Sequence, residues 1–301
     1  MRTVSVLSYT VFLACYAAAQ APVSRPVPPE GSANRVSEPI YRVTVVSRTT
    51  KAINYGHLSE PTKVGLKGTV LMPETQGEAR VESKRGAVEI EAKINHLESP
   101  TRFGTQYLTY VLWAISPEGR PVNLGELVAD PSNKAKIKVS TDLQAFALIV
   151  TAEPYFSVMQ PSDAVVMENV LEPGTLGKVE EVDAKYELLP RGHFTYDPGS
   201  TMTAQSGTKV SMSEYEALVA TYQAQNAIQI ARAAGADKYA ADSLQKAEQL
   251  YRQAVDLQMK KPSSRKIVTV AREAAQAAED ARAISAKRQE TDISAAPLPR
   301  S

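Results

Sequence analysis

One cysteine and three histidines are all that 301 residues contain of the side chains that most often bind metals or cross-link chains. With a single Cys15 there is no disulfide framework, so each folded part must stand on packing. His57, His96 and His193 lie far apart, and none has a second ligand at helical or hairpin spacing. A metal site needs three or four converging ligands, so no metal and no cofactor is expected. Charge of one sign is not in excess either, because 34 Lys and Arg nearly cancel 33 Asp and Glu. Nucleic acid, whose phosphates demand a basic face, is therefore not an expected partner. Past the N-terminus no stretch approaches the roughly 18 uninterrupted apolar residues of a membrane span.

Catalytic signatures are missing as well. There is no G-x-S-x-G elbow, no Gly-rich phosphate loop and no EF-hand loop. Ser263-Ser264-Arg265-Lys266 fits S-x-x-K but lacks a Ser-Asp-Asn companion, and Ser206-Gly207-Thr208-Lys209 is a poor stand-in for Lys-Thr-Gly. Both matches read as chance, since these residues are common here. No enzyme is expected on these grounds. The rival is a wall-acting enzyme resting on perturbed carboxylates such as Glu153 and Asp163.

What is present begins with an export signal over 1–19. Arg2 precedes a short apolar run, and small residues follow at Ala17, Ala18, Ala19 and Ala21. Two cleavage sites compete. Phe12-Leu13-Ala14-Cys15 resembles a lipoprotein box, with Phe where a small aliphatic residue is usual; cleavage after Ala19 is favoured. Cys15, if used, is lipidated and is the only membrane attachment. Residues 20–39 carry Pro22, Pro26, Pro28, Pro29 and Pro39, an extended leader.

Residues 40–190 read as strands. Tyr41, Val43 and Val45 alternate with polar residues, as do Val64, Leu66 and Val70, and Val88, Ile90, Ala92 and Ile94. Period-two alternation puts one face on a core and the other in water. Residues 107–115 (YLTYVLWAI) are apolar on both faces and predict a central strand. Residues 116–121 (SPEGRP) form a turn, and further strands fall at 122–128, 135–139, 145–151 and 164–170. Short strands at spacings near ten residues predict an antiparallel, Ig-like β-sandwich.

Residues 191–212 are polar and turn-rich, an expected linker. A helical domain follows at 213–290, with a capping box expected at Ser213 and Glu216. Helix one should stop at Gly235. Helix two should run over 237–260 with Ala240, Leu244, Ala247, Tyr251 and Ala254 on one stripe. Helix three should follow Pro262 with Ile267, Val270, Ala274, Ala277, Ala281 and Ile284 on another. Such alanine stripes bury little area at about 25 cal/mol per Å², so these helices, a hairpin or three-helix bundle, must pack on each other or on a partner. The tail 291–301 is expected to be disordered. The fold class is α+β with the two kinds of element segregated along the chain.

Two resemblances enter here. Residues 77–170, through 110–126 (YVLWAISPEGRPVNLGE) and 145–154 (AFALIVTAEP), resemble the extracytoplasmic sandwich of anti-sigma-K-type factors. That family follows Glu-Pro with a Gly-Gly-Ser-type turn, where this chain has Tyr155-Phe156-Ser157-Val158 before Pro161. The resemblance implies a sandwich outside the cytoplasm; the family's sigma-binding helices and membrane span have no counterpart, which argues against sigma-factor inhibition. The helical part, through 231–240 (ARAAGADKYA) and 244–250 (LQKAEQL), is similar to an Ala-rich domain of unknown function in bacterial envelope lipoproteins. Neither family supplies a catalytic residue.

Two clusters are candidate partner contacts. Tyr155, Phe156 and Met159 sit in a Pro-bounded stretch: exposed, they make a recognition loop; buried, they close the sandwich, which is the favoured outcome. Lys260, Lys261, Arg265 and Lys266 form a basic knot between helices two and three, either a solvated cap or a contact for anionic polymer. The expectation is a non-enzymatic, exported protein, periplasmic or outer-membrane-associated. It would bind or scaffold an envelope protein or an anionic cell-wall polymer, with homo-oligomerisation through the helices. An extracytoplasmic signalling module is a further alternative.

Overall fold

The computed structural model describes residues 46–56, 58–188, 211–260 and 263–295. The export signal with Cys15, the leader, the strand expected at 41–45, His57, His193, most of the expected linker, Lys261 and residues 296–301 lie outside them. An antiparallel sheet comes first and helices follow, so the α+β reading holds.

The strands are β1 (Val46–Asn54), β2 (Thr62–Gly68), β3 (Gln76–Lys84), β4 (Ala87–Asn95), β5 (Thr109–Ile115), β6 (Pro121–Leu127), β7 (Lys134–Thr141), β8 (Ala145–Glu153), β9 (Val165–Val170) and β10 (Lys178–Leu188). Hydrogen bonds order them β6-β5-β8-β9-β2-β3-β4-β7. A β1–β10 ribbon branches off where Ile53 and Asn54 pair Phe146 and Ala145 of β8. β6 and β7, the two ends of this path, come side by side, which leaves a nearly closed, barrel-like sheet. Gly125 permits the approach: it has φ +141°, and a Cβ there would stand 3.0 Å from Ile137 Cδ1. At the branch, β8 leaves an amide that neither neighbour's ladder takes. Asn169 fills it, accepting from Leu148 N–H at 3.0 Å and donating to the Lys51 carbonyl at 3.1 Å.

Strand alternation decides what is inside. Val88, Ile90, Ala92 and Ile94 of β4 are all buried, while Glu89, Glu91 and Lys93 pair with lysines or neighbouring carboxylates outside. Val70 departs from the expected pattern: β2 ends at Gly68, and Val70 is 93% exposed in the turn that follows. That turn is tight, because a Cβ on Gly68 would lie 1.9 Å from the Met72 carbonyl oxygen. Met72 is buried in Val70's stead.

β5 and β8 are apolar on both faces because both faces are covered. Tyr110, Leu112, Ala114, Phe146, Leu148 and Val150 point into the sheet's own core. Val111, Trp113, Ile115, Ala147 and Ile149 point the other way, into a second core shared with the helices. Helices and sheet are thus two layers around common apolar residues.

The helices are α1 (Met212–Ala233), the single turn α2 (Ala236–Tyr239), α3 (Ala241–Met259) and α4 (Ser264–Ala295). The capping box uses Ser211 and Glu214, not Ser213 and Glu216. Both pairs fit S-x-x-E, and the earlier one starts the helix sooner. Gly235, at φ +79°, ends α1 in the left-handed conformation that glycine adopts without strain. The expected second helix is broken at Ala240, whose φ of −147° is not helical. α4 runs past residue 290 to Ala295, so the first part of the expected disordered tail is helix. Its buried stripe is wider than heptad spacing suggests: Ala271, Ala275 and Ala278 are buried beside Ala274, Ala277 and Ala281, while Ile284 is 36% exposed. α4 is wedged between α1 and α3, and alanine on both flanks lets the three approach closely.

Candidate functional site

The loop after β8 is where the two layers are fastened. Tyr155 is fully buried, and its hydroxyl donates to Glu279 Oε2 of α4 at 2.5 Å. The Met159 amide donates to Glu279 Oε1 at 2.9 Å. Arg282, one turn further along α4, grips the same carboxylate with both Nε and Nη2, at 2.7 and 2.8 Å. Burial opposes the Arg282 charge, but the hydrogen bonds and charge of Glu279 outweigh it and hold the guanidinium above its usual range. Gln223 of α1 accepts from the Phe156 amide at 3.0 Å. Asn123 of β6 donates to the Phe156 and Val158 carbonyls from the other side, at 2.9 and 2.8 Å.

A second chain of polar groups runs beneath. Trp113 Nε1 donates to the Thr151 hydroxyl at 2.8 Å, which donates to Glu153 Oε1 at 2.6 Å. The Ser162 amide donates to that oxygen too. Glu153 is fully buried in this network, whereas Asp163 is exposed, so the two carboxylates considered for wall-acting chemistry are not brought together. His96 is exposed at a positive-φ turn position, and its carbonyl accepts from Thr75. Among the described residues no group of three or more His, Cys, Asp or Glu is placed to hold a metal ion.

Of the expected contact residues, Tyr155 and Phe156 are engaged within the chain. Tyr155 is bound to Glu279, and the Phe156 ring lies under the Arg272 guanidinium at 4.5 Å. Residues 155–159 are thus the segment that meets the helices. Met159 keeps 45% of its surface exposed. Lys260, Arg265 and Lys266 are exposed around the α3–α4 corner, where Met259 also stands 71% exposed.

Beside the fastened loop, a groove of about 410 Å³ opens between the β6–β7 end of the sheet and the start of α1. Its rim carries Val128, Met212 and Tyr215, which are 53%, 46% and 54% exposed. Scattered single apolar residues on a surface are ordinary; here three stand around one concavity. The polar groups on its floor satisfy one another. Glu126 Oε1 accepts from the Thr109 hydroxyl at 2.7 Å and from Gln223 Nε2 at 2.8 Å, and Glu126 Oε2 is paired with Arg272. Phe156 stacking and this ion pair together fix the Arg272 side chain.

Charge in the groove does not balance. Arg272 is its one basic lining residue and is taken by Glu126; Asp130 has the Lys134 charge beside it, and Glu216 at the edge is in no ion pair among the described residues. The Ser132 hydroxyl and the Lys134 amide, both donating to Asp130, hold its carboxyl below the usual range, so it is ionised at neutral pH. None of Val128, Met212 or Tyr215 stood out in the sequence, and Glu216 did so only as half of the expected capping box. A single apolar residue in a polar stretch carries no signal, and the groove joins residues as far apart in sequence as Leu97 and Arg272. Comparison with known proteins assigns no family: no family model matches the chain, and no curated protein matches it.

Proposed function

We propose that this protein is a non-enzymatic, exported cell-envelope binding and scaffold protein that docks its partner in the groove between β6–β7 and α1. The observation that carries this reading is the groove itself: an apolar rim over a floor whose polar groups already satisfy one another. Such a floor offers shape and charge, while acid–base chemistry requires a group left poised for a proton. The export signal at 1–19 and the resemblance of 77–170 to the anti-sigma-K-type sandwich support a place outside the cytoplasm. The alanine stripes of 213–290 support a helical hairpin or three-helix bundle, and the same resemblance supports reading the strands as an Ig-like sandwich. In favour of it stand the two inner faces of the curled sheet, which meet over one apolar core.

A photo-crosslinking amino acid at Tyr215, compared with one at the still more exposed Val70, tests the docking site in growing cells. A discrete adduct from Tyr215 alone, recovered with the envelope fraction, is the expected result. Adducts from both positions or from neither would remove the groove from the account. Mass spectrometry of the mature N-terminus tests export; it should begin after Ala19 or at a lipidated Cys15, and an unprocessed chain would contradict it.

A further inference from the structure

We infer that the partner seated in the groove is the α3–α4 corner of a second copy of this chain, so that two copies pair about a twofold axis. This rests on the reading of the groove as a docking site and names its occupant.

Charge complementarity carries the inference. The groove presents the exposed carboxylate of Glu216 beside an apolar rim. The corner presents the converse: Met259, 71% exposed, next to the exposed Lys260, Arg265 and Lys266. None of these three cations is in an ion pair among the described residues. An unbranched thioether adapts to an irregular apolar slot and packs well against an aromatic edge such as Tyr215. The lysine beside it then lies within reach of Glu216.

The position of the corner fits a closed pair. Val268 and Arg272 of α4 line the groove, and Arg265 lies three residues before Val268 and seven before Arg272. That spacing puts all three on one face of the helix, with Arg265 about one turn beyond the groove's end. Groove and corner are therefore neighbours on one side of the molecule. When two complementary patches lie side by side, seating one copy's Met259 and Lys260 on the other's groove brings the reciprocal pair together as well. That is the self-complementary arrangement of a twofold dimer, closed and not fibre-forming.

Sedimentation equilibrium of the purified full chain tests this, with charge exchange as the probe. Lys260→Glu and Glu216→Lys should each weaken the dimer by about tenfold or more, since like charges then face each other across the contact. Combining the two should restore it to within a few-fold of the parent. Both positions are exposed, and far-ultraviolet circular dichroism checks that each variant folds. A dimer indifferent to all three variants, or single losses that the combination does not repair, would overturn the inference. A chain that stays monomeric while Tyr215 still crosslinks an envelope component would overturn self-pairing and leave the docking site standing. A monomer with no crosslink would end both.

Discussion

The two apolar cores of this protein are built from different residues. The inner core of the sheet is made of large side chains, among them Tyr110, Leu112, Phe146 and Leu148, all almost completely buried. The core between sheet and helices takes its largest fully buried side chains from one side. Trp113, Ile149 and Tyr155 come from the sheet and its loop, while α1 and α4 contribute mainly alanines such as Ala224, Ala227, Ala274 and Ala278. Alanine lets helices approach closely but removes little apolar area from water. The helical layer therefore depends on the sheet for both volume and polar anchors, and the sheet depends on the helices to cover Trp113. This contrast accounts for the unusual composition of each part, and it can be attacked directly.

Trp113→Ala should have the largest effect, about 3–5 kcal/mol, because it empties the largest side chain of the shared core and removes the donor to the Thr151 hydroxyl. Chemical denaturation measures it; a loss under about 1 kcal/mol would mean that the helices do not need the sheet's bulk. Glu279→Ala should follow at about 3 kcal/mol, since it leaves the Arg282 charge, whose side chain is 11% exposed, without its partner. Hydrogen exchange should then quicken at Met159, whose amide loses its acceptor, while β4 keeps its protection. Equal quickening in both places would blur the distinction between the layers. Ala278→Leu should destabilise by about 1–3 kcal/mol through overpacking, as α4 has no room between its neighbours. A neutral result would show the alanines to be tolerant filler.

The smallest effect lies at the groove's edge and in pH. Asp130 has a folded pKa below its unfolded value. Its contribution to stability is therefore complete above the unfolded carboxylate's pKa and disappears as pH falls through the folded value. Asp130→Asn should shallow the acid limb of a urea-midpoint-against-pH curve and leave the neutral region unchanged in slope. An unchanged acid limb would deny Asp130 its hydrogen-bonded state.

Much of this fold can be read from residue order, and what escapes does so for physical reasons. The alternation of Val88, Ile90, Ala92 and Ile94 announces β4, and the two-faced apolarity of 107–115 announces a strand with both sides covered. What covers the second side is not local information. β3 is inconspicuous because it carries only Ala79 and Val81 inward among charged residues. Glu279 and Gln223 did leave a trace, as polar residues set within alanine-rich helical stripes. Their meaning depends on Tyr155 and Phe156, which reach them from another layer. The groove left less still, because Glu126 and Arg272 are 146 residues apart and Tyr215 is one exposed ring among polar neighbours.

The dependence of the alanine helices on the sheet is tested most directly by following one denaturation with two probes. Trp113, the sole tryptophan, reports the sheet face beneath the helices, and far-ultraviolet ellipticity reports α1, α3 and α4. Coincident transitions with one midpoint are predicted. A helical signal that melts separately, before or after the tryptophan environment changes, would contradict the account.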